Sequence, residues 1–283
     1  MTIQAYTFTG PKDGKHVLIL WAIHGNEPCW PLAIQKFIKE LENNEKEIIA
    51  GKVTLIPICN PRAYEQSVRA TEENLNRAFH PENTSTSYEA WLAREIQQYI
   101  NQANIMLDIH SLSASDNCFL FKNKENNPIL DELAKTTGIQ ECVKGRGDLY
   151  EDTGEYTTDD YGATVDTLGI CIECGQHDHP QAPTRAYNAI INLLKKTQNI
   201  AWEAKEITGQ YTLHMKQLIY KEKEGEFVQY RDHGTELKQW DIIAKYDDGT
   251  FLSMPYDGVL ILPCNGEVAI WDEWIFIWDK EVN

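Results

Sequence analysis

Seven apolar residues in succession, Val17-Leu18-Ile19-Leu20-Trp21-Ala22-Ile23, stop at His24-Gly25-Asn26-Glu27. So continuous a run fits a strand covered on both faces, as inside a parallel sheet. Gly25-Asn26 is a turn signal, and Pro28 then opens a helical pattern of Trp30, Leu32, Ala33, Phe37, Ile38 and Leu41. His24 and Glu27 are therefore expected on a strand-to-helix loop at the carboxyl end of a central strand, where open α/β sheets hold their chemistry. A His and a Glu three apart can close on one divalent metal through imidazole nitrogen and carboxylate oxygen. Alone the pair is a weak signal, since Glu27 as a helix cap and His24 as a satisfied strand-end histidine explain it equally.

Two later strands end in the same kind of group. Ala103-Asn104-Ile105-Met106-Leu107-Asp108-Ile109 runs into His110-Ser111, and Thr167-Leu168-Gly169-Ile170-Cys171-Ile172 runs into Glu173. In a parallel sheet such ends share one edge, so residues distant along the chain converge there. Two His and one Glu leave a fourth position for water, the arrangement of a catalytic zinc site. Glu173 is then the spare carboxylate, placed to take a proton from that water. Asp108 lies two residues before His110, on the same strand face, and is a candidate for orienting a ligand histidine. Plainer readings exist: His110 as a core histidine, Glu173 as a strand end, Arg69 and Arg77 as surface residues balancing Glu72 and Glu73. They weaken together, because four metal-binding or proton-moving residues, His24, Glu27, His110 and Glu173, would have to fall at strand ends by chance.

Between these strands, Lys52 to Cys59 is a second apolar run, and 60–86 is polar and loop-like, holding Arg62, Arg69, Asn74, Asn76 and Arg77. A loop of that length in a compact domain is usually functional, and its cationic and amide groups suit an oxyanion and a substrate carboxylate. Thr86-x-x-Glu89 reads as a capping box opening a helix over 87–101. Phe119-Leu120-Phe121 reads as a strand, 128–137 as a short helix, 144–163 as a surface loop or lid, and Pro180 to Lys196 as an amphipathic helix. The alternation predicts an α/β domain over 1–204, with a mostly parallel or mixed central sheet flanked by helices. Beyond it the helical period disappears, and 205–283 is expected to be a small all-β domain.

Composition narrows the function. The net charge is −17, from 43 acidic against 26 basic residues, without a basic patch. Nucleic acid and anionic membrane are therefore not expected partners. No apolar run approaches the ~20 residues of a membrane span, and the first residues lack the pattern of a signal peptide. Seven cysteines at irregular spacing predict reduced thiols and a cytoplasmic setting. Cys171-x-x-Cys174 has no second pair and reads as buried thiols. His177-Asp178-His179 reads as the loop before the Pro180 helix, though it lies near enough to Glu173 to touch a metal site. Trp271, Trp274, Phe276 and Trp278 read as strand core or as an oligomer contact, the latter serving a homodimer.

His24-Gly25-Asn26-Glu27, Asn60-Pro61-Arg62-Ala63, Arg69, Asn74-Leu75-Asn76-Arg77, Asp108-Ile109-His110 and Ile172-Glu173-Cys174-Gly175 stand in one order along the chain. Together they resemble the succinylglutamate desuccinylase and aspartoacylase family, zinc amidohydrolases related to the zinc carboxypeptidases. The resemblance implies a zinc carboxypeptidase-like fold, a small carboxyl-terminal β domain and one Zn2+ per chain on His24, Glu27 and His110. It implies Glu173 as the general base that later protonates the leaving amine, and Arg69 as the group on the scissile carbonyl and its oxyanion. Asn76 and Arg77 match the pair that grips the substrate's carboxylate. The same ligands also take cobalt or manganese.

The pattern departs from the family at the distal end of the substrate. Where the family carries an arginine for an acidic substrate's distal carboxylate, this chain has Ala163, with no Arg or Lys in 147–184. Asp159 and Asp160 lie nearby, either as solvated loop residues or as selectors of a neutral or cationic group. Leu262 stands at the position of the family's tyrosine from the carboxyl-terminal domain. The expected function is zinc-dependent hydrolysis of the amide of a small N-acylated amino acid or amine. The alternatives are a zinc carboxypeptidase acting on short peptides and a metal-binding relative without turnover.

Overall fold

The computed structural model describes residues 3–27, 31–112, 116–145, 155–201, 209–266, 268, 270–271 and 273–279. Strands β1 (Tyr6–Thr9), β2 (His16–Trp21), β3 (Lys52–Ile56), β4 (Ile105–Leu112), β5 (Phe119–Lys122), β6 (Glu141–Lys144) and β7 (Leu168–Gln176) come first. They are interspersed with helices α1 (Pro31–Glu42), α2 (Pro61–Gln66), α3 (Tyr88–Ile100), α4 (Pro128–Thr136), α5 (Thr158–Thr164) and α6 (Ala182–Lys196). After α6 only strands occur among the described residues: β8 (Tyr211–Tyr220), β9 (Gly225–Phe227), β10 (Thr235–Leu237), β11 (Ile242–Tyr246), β12 (Phe251–Ser253), β13 (Gly258–Ile261) and β14 (Glu273–Asp279).

One mixed sheet of eleven strands runs in the order β1-β3-β2-β4-β7-β5-β6-β8-β14-β13-β10, and β12-β11-β9 form a separate antiparallel sheet. Its centre is parallel, β3, β2, β4 and β7 pairing in one direction, with β5 antiparallel to β7. β2 is buried along its whole length, as its unbroken apolar run requires. Alternate residues serve different layers. Val17, Ile19 and Trp21 meet Ile34 and Phe37 of α1 and Ile190 and Leu194 of α6; Leu18 and Leu20 meet Leu92 and Ile96 of α3. Helices on both faces thus leave the carboxyl edge of β2, β4 and β7 as the place where polar groups gather. Among the described residues, no helix is long and apolar enough to cross a membrane.

Four expectations change in detail. The helix after Glu27 is found over Pro31–Glu42, and Pro28 lies outside the described residues. The stretch 60–86 is not plain loop: it holds α2, capped by the Asn60 side chain, and a 3₁₀ turn at Leu75–Arg77. Likewise 144–163 contains the end of β6 and the helix α5, with 146–154 outside the described residues. The capping box at Thr86 and Glu89 is absent. Ser87 caps α3 through Ala90 N, and the Glu89 carboxylate turns away to another partner described below.

Candidate active site

β2 ends with Ala22 in the left-handed region (φ +48°), which swings His24 out over the sheet edge. Gly25 packs directly on α2. A Cβ there would lie 2.0 Å from the Ala63 carbonyl carbon and 2.2 Å from Tyr64 N, so only glycine allows this approach. In the sheet register His110 of β4 stands beside Glu173 of β7, and Leu20 of β2 stands beside Asp108. His24, Glu27, His110 and Asp108 are all buried, each at most 3 % exposed.

The Glu27 carboxylate is the hub. Its Oε1 is 2.8 Å from His24 Nδ1, and its Oε2 is 3.6 Å from His110 Nδ1 and accepts from Ser111 N at 3.1 Å. One donor atom from each of His24, Glu27 and His110 falls within a 4.8 Å cluster. The outer nitrogen of His24 is fixed as well. Asn74 Oδ1 accepts from Asn76 N at 3.0 Å, which identifies it as the oxygen, and lies 3.1 Å from His24 Nε2. His24 must therefore donate through Nε2, leaving the Nδ1 lone pair against a carboxylate. His110 Nε2 lies 3.1 Å from Asp108 Oδ2, a close charge contact rather than an aligned hydrogen bond, and Asp108 Oδ2 takes the Thr158 hydroxyl at 2.5 Å.

A lone pair facing a carboxylate at 2.8 Å requires positive charge between them. A proton is a poor choice at His24, whose pKa is pushed down to about 4 by burial, with the charge of Arg69 adding to it. A divalent cation meets the requirement, and two imidazoles with one carboxylate are a donor set for zinc. A histidine whose far nitrogen is held by an oxygen acceptor, as His24 is by Asn74, is the usual support of such a set. Burial by itself would raise the Glu27 carboxyl, but His110 and His24 outweigh it and hold it well below the carboxylate range. His110 is raised by Asp108 and Glu27 against the effect of burial.

Glu173 carries the opposite perturbation. Burial, reinforced by Glu27 and Asp108 and opposed by His110 and Arg69, lifts its carboxyl to about 8. Its Oε2 is buried and without a hydrogen-bond partner. A carboxylic acid lifted toward neutrality beside a cation site is suited to moving protons. Arg69 is exposed on the following loop, its carbonyl accepting from Gly25 N at 3.3 Å, and its charge is felt by His24, Glu173 and His177.

Asn76 and Arg77 are brought to the same region but are already engaged. Asn76 Oδ1 accepts from Thr158 N at 3.1 Å. Arg77 donates to Glu273 of β14 through Nε at 3.2 Å and Nη2 at 2.5 Å, and lies 3.4 Å from Glu155. Asp160 is held in a capping box with Thr157, and Asp159 is only 1 % exposed, its Oδ1 beside Gly169 near the start of β7. Neither is a solvated loop residue. Leu262 is partly buried against the cluster that holds Phe119 and Val259.

Four contributors went unassigned in the sequence: Asn74 on His24, Ser111 N on Glu27, Thr158 on Asp108, and His177, whose Nδ1 is 2.7 Å from the Ser111 hydroxyl. A backbone N–H and single hydroxyls leave no mark in a sequence. Asn74 alone lies within a stretch that carries the family resemblance, Asn74-Leu75-Asn76-Arg77.

A profile of the succinylglutamate desuccinylase/aspartoacylase catalytic domain matches residues 13–198. The aspartoacylase of Danio rerio is 31% identical over 116 residues, 37% of this chain and 36% of that protein. A probable aspartoacylase of Nostoc is 25% identical over 208 residues, 70% of this chain and 65% of that protein. The chain thus spans about a third to two thirds of these relatives. Among solved structures, a succinylglutamate desuccinylase/aspartoacylase from Rhodobacter sphaeroides superposes with a TM-score of 0.78 at 17% identity, covering 99% of this chain and 90% of that one. The ectoine utilization protein EutE (DoeB) from Ruegeria pomeroyi gives 0.77 at 16%, covering 97% and 88%. These two establish the fold; with a profile match across most of its length, the chain belongs to the succinylglutamate desuccinylase/aspartoacylase family.

Proposed function

We infer that this protein is a metal-dependent hydrolase, with zinc as its cation, that cleaves the amide of a small N-acylated amine. The observation that carries this reading is the buried convergence of His24, Glu27 and His110, with His24 Nδ1 2.8 Å from one Glu27 oxygen and His110 Nδ1 3.6 Å from the other. His24, Glu27 and His110 would hold one cation per chain. When bound, it supplies a Lewis-acid charge that acidifies water and draws the raised Glu173 carboxyl back toward its ionised form. Glu173 takes a proton from the attacking water and returns it to the leaving nitrogen. Arg69 faces the oxygen on which negative charge develops.

Asn76 and Arg77 line the amine side of the substrate in this proposal. Arg77 already has its charge matched by Glu273, which favours an amine part without a free carboxylate over an acidic N-acyl amino acid. The absence of Arg and Lys from 147–184 points the same way. The catalytic unit is read as 1–204 and the β-rich unit as 205–283, adjoining through the β6–β8 pairing.

The test combines metal analysis with a panel of N-acetylated amines, N-acyl glutamate and short peptides. Hydrolysis of the amines with one equivalent of zinc is expected. Glu173→Ala and Arg69→Ala should each lower turnover about a hundredfold or more with zinc retained, and His24→Ala should lose the metal. Preferred cleavage of peptides would replace the deacylase reading with a carboxypeptidase. Zinc binding without turnover on any of the panel would leave a non-catalytic relative.

A further inference from the structure

β5 and β7 run antiparallel with Phe119 opposite Glu173. One step further along that register, Cys118 comes opposite Cys174, near enough to raise the Cys174 thiol. Both lie on the sheet face covered by α6. Cys174 shares a buried cluster with Ile170 and Ile172, and Cys118 packs against it. Arg185 of α6 ties the two segments together, its Nη1 donating to Cys174 O at 3.0 Å, Asp116 O at 3.1 Å and Asp116 Oδ1 at 3.0 Å. Gly175 (φ +96°) makes this closeness possible, because a Cβ there would lie 2.5 Å from Arg185 Nη1 and 2.8 Å from Asp116 O.

Directly opposed residues of an antiparallel pair hold their Cβ atoms about 4.5–5.5 Å apart. A disulfide needs about 3.5–4.5 Å, so a small inward movement suffices. Access is one-sided. Cys174 is fully buried, whereas Cys118 is half-buried and lines a polar cavity of about 650 Å³ with Gly138, Glu141, Asn188 and Tyr211. Burial also holds the Cys174 thiol well above its usual pKa, so the half-buried Cys118 is the one that meets an oxidant.

We propose that Cys118 and Cys174 are a redox modification site, a dithiol that closes to a disulfide in the presence of a hydroperoxide. The Cys118 sulfur attacks the peroxide, the O–O bond breaks, and a hydroxide or alkoxide leaves and takes up a proton, giving the sulfenic acid. The Cys174 sulfur then attacks Cys118, forming the S–S bond as the S–O bond breaks and water departs with the remaining thiol proton. The two thiols lose two electrons, and the hydroperoxide is reduced to water or to an alcohol and water. The new bond joins β5 to β7 one residue from Glu173.

The full-length protein, reduced and then exposed to hydrogen peroxide, is alkylated and its peptides mapped by mass spectrometry. The expected product is a single linked pair carrying Cys118 and Cys174, reversed by dithiothreitol and absent from Cys118→Ser. In Cys174→Ser, Cys118 should remain as a sulfenic acid trapped by a dimedone reagent. Unchanged alkylation of Cys118 after peroxide, or its oxidation to sulfinic acid while Cys174 stays a thiol, overturns the proposal. The wild-type map needs neither variant to fold and no substrate, so its outcome is separate from that of the hydrolase reading.

Discussion

Asn74 Oδ1 sits between two N–H groups, the backbone of Asn76 and the ring of His24, and so fixes the histidine's tautomer. Replacing it by alanine removes the acceptor without touching the donor cluster. Cation affinity should fall about 10- to 100-fold, as for other outer partners of ligand histidines. Competition against a chelator of known affinity measures this, and an unchanged affinity would detach Asn74 from the site. Turnover at saturating metal should be far less affected, because Asn74 holds the ligand rather than the substrate. The sequence singles out His24, His110 and Glu173 because each ends an apolar run, and Glu27 because it follows His24 by three residues. Asn74 is not singled out, since its role depends on a turn brought back across the chain.

The 3₁₀ turn carrying Asn74 to Arg77, and the loop before it, are braced by a side chain on α3. Buried Glu89 accepts from Thr71 N at 2.8 Å, the Thr71 hydroxyl at 2.7 Å, Asn60 Nδ2 at 3.2 Å and Glu72 N at 3.2 Å. Burial would raise its carboxyl, but these donors prevail and hold it below its ordinary value. A carboxyl lowered on folding stabilises the protein above its unfolded pKa of about 4.3, and that contribution is lost as pH falls through the lower folded value. Glu89→Gln should therefore cost about 1–3 kcal/mol at neutral pH and flatten the acid limb of stability against pH. Denaturant unfolding at pH 7 and below pH 4 checks both. An acid limb as steep as wild type would show that the titration belongs to other carboxylates. Sequence spacing put Glu89 in a capping box; the structure turns it onto the loop because Ser87 already caps the helix.

Across the whole molecule, the strands after residue 205 extend the central sheet through β6 and β8, and β14 delivers Glu273 to Arg77. The pair is partly exposed, so Glu273→Gln should cost only about 1 kcal/mol, read as a lower unfolding midpoint at constant m-value. Its larger expected effect is on selectivity. With Arg77 left facing Glu155 but no longer Glu273, N-acyl amino acids bearing a carboxylate should gain in kcat/KM relative to N-acylated amines by about tenfold, the size of one modest charge contact. An unchanged ratio on the same panel would place Arg77 outside the substrate's reach.

The order of apolar runs and polar stops along this chain was enough to establish an α/β unit, a β-rich tail and a set of strand-end residues at one edge. That information is local, since alternation and strand ends follow from the chemistry of neighbouring residues. Only the tertiary structure decided that β5 runs against β7, that Arg77 meets Glu273 across 196 residues, and that Cys118 faces Cys174. Direction of pairing and long-range partners depend on how the whole chain closes on itself. No short stretch of side chains encodes them.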